Sequence, residues 1–170
     1  MHRTLYCSLL TLPIALLYCA GSLFAADERL PGFSSNDTLT IRSSEARMDE
    51  QPDIIHFAGG FELHAKDWSL SSEQATLYGK LDDPETVIIT GAPARILVNS
   101  EIHGRYSMVA GEARRIVYQR NSNSIRMEGN ASLSRDGQTL NGGEIEYKIG
   151  NDLLSAGGTG GVHIKVNPEK

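Results

Sequence analysis

The stretch Ser124–Tyr147, SIRMEGNASLSRDGQTLNGGEIEY, decides the fold class of this 170-residue chain. Within Ile125–Leu133 apolar and polar residues alternate, and an apolar residue returns at Leu140 after the dipeptide Asp136-Gly137. Alternation with a period of two is typical of a β-strand that buries one face, and Asp-Gly between two such runs favours a tight hairpin. The stretch therefore predicts two antiparallel strands joined by a short turn.

The same alternation recurs in three other parts of the chain. Its apolar members are Ile55, Phe57, Phe61 and Leu63, then Ile88, Ala92, Ala94, Ile96 and Val98, and finally Leu154, Ala156, Val162, Ile164 and Val166. Two windows, Glu73–Tyr78 and Glu112–Tyr118, carry weak helical signals. We interpret both as strands, because the residues Glu144–Ile149, which have the equivalent place in a repeat described below, alternate plainly. The chain is predicted to be all-β.

A short pattern occurs four times, as LTIRSSEARM, WSLSSEQATL, YSMVAGEARR and LNGGEIEY. In each copy an apolar residue is followed five positions later by a second small or apolar residue. The pairs are Ile41 and Ala46, Leu70 and Ala75, Met108 and Ala113, and Leu140 and Ile145. Arg115 takes, in the third copy, the place of Met48, Leu77 and Tyr147. Each copy is followed by a strand that passes through a glycine: Gly59, Gly91, Gly129 or Gly157.

The five-residue interval predicts a bulge or corner in each copy. Residues five apart lie on opposite faces of a regular strand unless one extra residue is inserted between them. The expected positions are Ser43–Glu45, Ser72–Gln74, Ala110–Glu112 and Gly142–Glu144. Corners repeated along the chain would let a sheet fold over on itself. We therefore expect a jelly-roll-like or trough-shaped all-β body, which could accommodate roughly 12–16 short strands of ordinary length.

The first 25 residues are predicted to be a cleaved signal peptide. Leu5–Phe24 is apolar and uncharged, follows a short basic start and ends near small residues. Residues 26–37 are polar and predict a flexible segment, and residues 38–167 would form one β-jellyroll domain. Both cysteines, Cys7 and Cys19, lie in the signal, so the mature chain would contain neither a disulfide nor a reactive thiol.

Charge and motif content exclude several functions. Loss of Arg3 with the signal leaves fifteen basic against twenty-one acidic residues, a net charge of −6, which argues against nucleic acid as a partner. The remaining histidines, His56, His64, His103 and His163, show no spacing of metal ligands. The acid pair Glu144 and Glu146 shares the predicted outer face, where charge is expected in any case. We expect no catalytic residues, no metal and no cofactor.

Several segments together resemble the LptA/OstA-like family of lipopolysaccharide transport proteins. They are the export signal, LTIRSSEARMD, IIHFAGGFELHA, the hairpin stretch Ser124–Tyr147 and LLSAGG near the end. The resemblance implies an open, twisted, antiparallel β-jellyroll with the shape of a trough. It implies a periplasmic protein whose apolar groove shields the lipid A acyl chains of lipopolysaccharide. It also implies head-to-tail association with further copies, and with LptC-like inner-membrane and LptD-like outer-membrane jellyroll domains.

Strand parity selects the side chains that would line this groove. They are Ile41, Phe57, Phe61, Leu63, Leu70, Ile96, Met108, Met127, Leu133, Tyr147 and Ile164. Such residues ordinarily form a core, but a single sheet rolled into a trough has one inner face that serves both as core and as lumen. Each methylene group removed from water contributes about 0.8 kcal/mol, so a continuous apolar channel would lower a large barrier to moving acyl chains.

Two alternatives stay open on the sequence alone. The first is a membrane-anchored, LptC-like scaffold that retains its N-terminal segment, which the mass of the mature N-terminus would decide. The second is a carbohydrate-active jellyroll enzyme, which turnover of a glycan, abolished by changing one acid, would support.

Overall fold

The computed structural model describes residues 38–81, 83–102, 105–149 and 153–166, and within these ranges all helix or strand structure is β. The strands are β1 (Thr40–Arg42), β2 (Glu45–Met48), β3 (Ile54–His64), β4 (Trp68–Lys80), β5 (Asp83–Ile102), β6 (Arg105–Gln119), β7 (Ser124–Arg135), β8 (Gln138–Lys148), β9 (Leu153–Gly157) and β10 (His163–Val166). The predicted signal peptide, the segment 26–37 and residue 167 lie outside the described residues. No helix in the described ranges is long and apolar enough to span a membrane.

All ten strands join one antiparallel sheet in the order β1-β3-β4-β5-β6-β7-β8-β10. Strands β1 and β2 pair with opposite halves of β3. Strands β10 and β9 likewise pair with opposite halves of β8. The prediction of an open antiparallel jellyroll is confirmed. The described strands are fewer and longer than the sequence suggested, since β5 alone runs for 20 residues. The reason is that the inner strands pass through their corners without ending.

A line of bulges divides the sheet into two halves. The pairing register shifts once or more in every pair of neighbouring inner strands, for example between Ser71 and Gln74 and between Glu128 and Ala131. Strands β1 and β10 form the edges of the half that we call the first half-sheet, and β2 and β9 form the edges of the second half-sheet. A bulge bends a strand and increases its twist, so the aligned bulges fold the sheet.

The corners predicted from the repeat are confirmed in the first, second and fourth copies. The chain leaves β1 at Arg42 and begins β2 at Glu45, and the Oγ atoms of Ser43 and Ser44 donate hydrogen bonds to carbonyl oxygens of β3 at 2.7 and 2.6 Å. The shifts in β4 and β8 fall at the expected places. Ser43 Oγ also donates to the carbonyl oxygen of Glu45 on β2 at 2.9 Å, so hydroxyl donors stabilise the first corner.

The third predicted corner lies too early in the chain, because the bulge in β6 falls between Glu112 and Arg115. Gly111 and Ile116, and not Met108 and Ala113, are the members of the third copy that align across the sheet with the pairs in the second and fourth copies. Tyr118 then takes the place that the sequence pattern gave to Arg115. The offset is three residues, and it arises because a glycine carries no hydrophobic signal in the sequence pattern.

The Asp136-Gly137 hairpin is confirmed. These two residues connect Arg135 to its cross-strand partner Gln138, with φ angles of 47° and 75°. Positive φ at both central residues is the requirement of a type I′ turn, whose twist matches that of the flanking strands. The turn fixes the register of β7 against β8, and therefore decides which side chains of both strands face inward.

Candidate functional site: the apolar interior and its open edge

The inward-facing side chains form rows that run across the sheet from one edge to the other. Row 1, in the first half-sheet, is Ile41, Leu63, Leu70, Ile96, Gly111, Leu133, Leu140 and Ile164. Row 2, in the second half-sheet, is Ala46, Phe57, Ala75, Ile89, Ile116, Met127, Ile145 and Ala156. Row 3, beside row 2, is Met48, Ile55, Leu77, Val87, Tyr118, Ile125, Tyr147 and Leu154.

A fourth row lies beside row 1, at the end of the first half-sheet that carries the Asp136-Gly137 hairpin. We call it the rim row, and it consists of Trp68, Val98, Val109, Arg135, Gln138 and Val166. Rows 1 to 3 contain only apolar side chains and one glycine. The sheet therefore presents a continuous apolar inner surface on both sides of its bend.

Exposure changes systematically along each row. Side chains in the central strands are buried in one cluster that includes members of both half-sheets. At the two edges the same rows end in exposed residues: Met48 is 73% exposed on β2, and Ile164 is 69% exposed on β10. The interior is thus densely packed in the middle of the molecule and open at both edges of the sheet. Exposed apolar residues that continue a buried row mark an interaction surface.

Most of the predicted lining residues lie together in this interior. Eight of them are buried members of the central cluster: Phe57, Phe61, Leu63, Leu70, Ile96, Met127, Leu133 and Tyr147. Ile41 is partly buried and packs against the cluster, and Ile164 extends row 1 at the exposed edge. The structure brings these ten side chains to one continuous inner surface.

Met108 does not share that surface. It pairs with Asn99 and is 57% exposed, whereas the next residue, Val109, is buried in the rim row. Successive side chains of a strand point to opposite faces, so Met108 lies on the outer face of β6. The parity assigned to Met108 from the sequence is wrong. The reason is that the third copy of the repeat aligns across the sheet three residues later than the sequence pattern indicates.

Sequence reasoning missed several residues of the interior. Leu77, Val87, Ile89, Ile116 and Ile145 are all buried to the same extent as the predicted set. Ile145 and Leu77 were present in the repeat, and the rule that links residues five apart could have identified them. The remaining three required the pairing register of β5 and β6, which alternation alone does not give.

An open pocket lies where the interior reaches the C-terminal edge of the sheet. Its volume is about 510 Å³. Leu140 and Ile164 of the first half-sheet and Leu154 and Ala156 of the second form its apolar walls, and Arg135, Asp136, Gln138 and Thr139 are its polar members. We call this space the edge pocket. A concave, mostly apolar pocket with a few polar groups is the usual form of a small-ligand site.

The outer faces of the strands carry the charge. On β6, β7 and β8, Arg115 Nη1 donates to Glu128 at 2.6 Å, and Arg126 Nε donates to Glu144 at 2.7 Å, which raises the pKa of Arg126. Near the opposite edge, the hydrogen bond between Asp49 and the His56 ring lowers the pKa of the Asp49 carboxyl. Polar exterior and apolar interior are therefore separated by strand parity. No group of three possible metal ligands occurs among the described residues.

This geometry defines a class of protein, the open β-jellyroll that encloses an apolar face between two half-sheets. The family model described as LptA/(LptD N-terminal domain) LPS transport protein matches residues 40–152. That range is well over half of the chain, and the chain belongs to this family.

A solved structure shares the fold. It is described as LptH, the LptA homologous periplasmic component of the conserved lipopolysaccharide transport device from Pseudomonas aeruginosa. The TM-score is 0.68 at 18% sequence identity, and the match covers 77% of this chain and 96% of that one. No curated protein matches the chain significantly.

Proposed function

We propose that this protein carries lipopolysaccharide through the periplasm and shields its lipid A acyl chains within the apolar interior. The observation that carries the proposal is the set of three uninterrupted apolar rows that run from one sheet edge to the other. Membership of a lipopolysaccharide transport family supports the same cargo. Acyl chains laid along these rows would leave water, while the sugars and phosphates stay at the surface. The proposal assigns no reaction and no cofactor to the chain.

The edge pocket is the part of the interior that acyl chains would reach first. Central side chains such as Met127 and Ile145 are fully buried and already packed. By contrast, Leu154 and Ile164 remain exposed on opposite walls of the pocket. We infer that cargo enters between β9 and β10 and continues along the rows. Lining roles for the ten inward-facing residues predicted from the sequence follow from this proposal.

A photoreactive residue at Leu140 or Met127 should crosslink to lipopolysaccharide in cells, because both side chains point into the interior. The matched positions Asn141 and Glu128 are their immediate neighbours on the same strands and face the other side of the sheet. We expect no crosslink from either, measured by a lipopolysaccharide-reactive band on a denaturing gel. Equal labelling of inward and outward positions would contradict the proposed interior path.

The proposal includes head-to-tail assembly through the sheet edges. Neighbouring strands of the sheet alternate in direction. As a result β10 runs opposite to β1, and β9 runs opposite to β2. A second copy in the same orientation could therefore add both of its N-terminal edge strands to both C-terminal edge strands of the first. Such a contact does not close on itself, so it builds a bridge. LptC-like and LptD-like jellyroll domains would use the same two edges at its ends.

Row continuity specifies the register of that contact. Ile164 of one copy would lie beside Ile41 of the next, and Leu154 would lie beside Met48, so that rows 1 and 3 continue across the boundary. These four side chains are the ends of the rows on the described edges. The apolar surface would then extend without a break from copy to copy.

A charge placed at the end of a row should weaken this association. We expect Ile164→Asp to raise the concentration needed for self-association at least about tenfold, because a carboxylate would be desolvated against Ile41 of the next copy. Lys165→Asp changes the neighbouring residue on the outer side of β10 and is the control. Light scattering coupled to size-exclusion chromatography measures both. Identical association of the two variants would argue against the proposed register.

A further inference from the structure

Arg135 is the one charged side chain among the described members of rows 1 to 3 and the rim row. Its partners in the rim row on the preceding strands, Trp68, Val98 and Val109, are all buried and apolar. Among the described members of rows 1 to 3 no side chain is charged. Burying a guanidinium at an inward-facing position costs free energy unless the group has a polar environment or a polar partner.

The surroundings of Arg135 are those of a pocket mouth. The residue lies two positions after Leu133 on β7 and lines the edge pocket. Its side chain is 28% exposed, and its Nε donates to Asp136 Oδ2 at 3.3 Å. Leu140 and Ile164 form the apolar wall next to it. One cationic group thus stands where an apolar pocket opens to water.

We propose that the edge pocket binds an alkyl chain while Arg135 binds the phosphate of the same molecule, so that the site selects phosphorylated amphiphiles over neutral ones. The proposal rests on the proposed function and adds a head-group preference to it. A guanidinium presents a planar set of donors that matches phosphate geometry. The pocket volume of about 510 Å³ is within the range of ligand sites, roughly 300–1,000 Å³.

Asp136 opposes an anion at the same mouth and must be included in the balance. Its carboxylate lines the pocket and accepts a hydrogen bond from Nε, which is one edge of the guanidinium. An exposed pair of this kind is weak, so a doubly charged phosphate can compete for the guanidinium. Gln138 and Thr139 add uncharged hydrogen-bonding groups at the mouth.

Calorimetric titration of the purified mature protein tests the head-group preference. The probes are dodecyl phosphate and dodecyl maltoside, which share one alkyl chain, and inorganic phosphate, which has none; all are used below micelle-forming concentrations. Arg135→Gln should weaken binding of dodecyl phosphate about tenfold and change binding of dodecyl maltoside less than about twofold. Arg135→Lys should restore part of the loss, and inorganic phosphate should bind far more weakly than dodecyl phosphate.

Arg126→Gln is the matched control, because Arg126 is on the same strand but belongs to the outer ion-pair network. Equal affinity of Arg135→Gln and the unchanged protein for dodecyl phosphate would overturn the head-group proposal. So would an equal loss in Arg126→Gln, or tight binding of inorganic phosphate alone. If lipopolysaccharide still crosslinks at Leu140 in that case, the carrier function stands without the head-group preference. If neither alkyl probe binds and no crosslink forms, both proposals fail.

Discussion

Replacing Phe61 by alanine should lower the free energy of unfolding by about 3–5 kcal/mol. Phe61 is fully buried beside the bulge of β3, and its ring centroid lies 5.2 Å from that of Phe57 at an interplanar angle of 49°. Removal of the ring would leave a cavity at the bend and would also lose an aromatic pair, which contributes about 0.5–1.5 kcal/mol. Urea unfolding followed by tryptophan fluorescence measures the change, since the single Trp68 is buried in the same cluster.

Glu62→Ala provides the control for Phe61→Ala. Glu62 is the next residue on β3 and is exposed, so its replacement should change the unfolding free energy by no more than about 0.5 kcal/mol. A comparable, small change in both variants would mean that the bend is not packed in solution. The interior described above would then not be the stable state of the free protein.

Gly111→Val should destabilise the protein by about 1–3 kcal/mol through overpacking. A Cβ atom at Gly111 would lie 2.7 Å from Met127 Sδ and 2.9 Å from Ile96 Cγ2. Met127 belongs to row 2 and Ile96 to row 1, so the glycine is the place where side chains of the two half-sheets meet above the backbone. Any side chain there would have to push both neighbours aside.

Gly157→Val separates this steric effect from the general effect of replacing a glycine in a strand. A Cβ atom at Gly157 would have no heavy atom within 4 Å, and its backbone does not require positive φ. We expect little change or a small stabilisation, because a side chain reduces the freedom of the unfolded chain. Thermal unfolding of the two variants side by side gives the comparison. Equal melting temperatures would show that the interior has room at Gly111.

The fold was predictable from the sequence to the extent that it depends on local periodicity. Alternation from Ile125 to Leu133 and the Asp136-Gly137 turn require only neighbouring residues, and the structure confirms both. The five-residue interval also predicted where β4 and β8 change face. It failed in β6, because the residue that faces inward there is Gly111, which has no side chain to reveal its orientation.

The candidate site was less predictable, since it depends on register across the sheet. A pattern within one strand cannot show that Ile96, Gly111 and Leu133 are neighbours in one row. Arg135 shares the parity of Leu133, two positions earlier, but a charged residue beside the Asp136-Gly137 turn carries no hydrophobic signal that marks it as inward-facing. Pairing between strands distant in sequence determined the row.

The line of bulges gives the interior a way to change its width. Each bulge already interrupts the ladder of backbone hydrogen bonds, for example between Thr90 and Ala94 in β5 and between Glu128 and Ala131 in β7. We therefore expect the two half-sheets to turn about this line more easily than either half-sheet bends, because the hydrogen-bond ladders inside each half stay intact. Such a turn would separate the packed side chains of the two half-sheets, and the proposed acyl cargo could then be accommodated at different thicknesses.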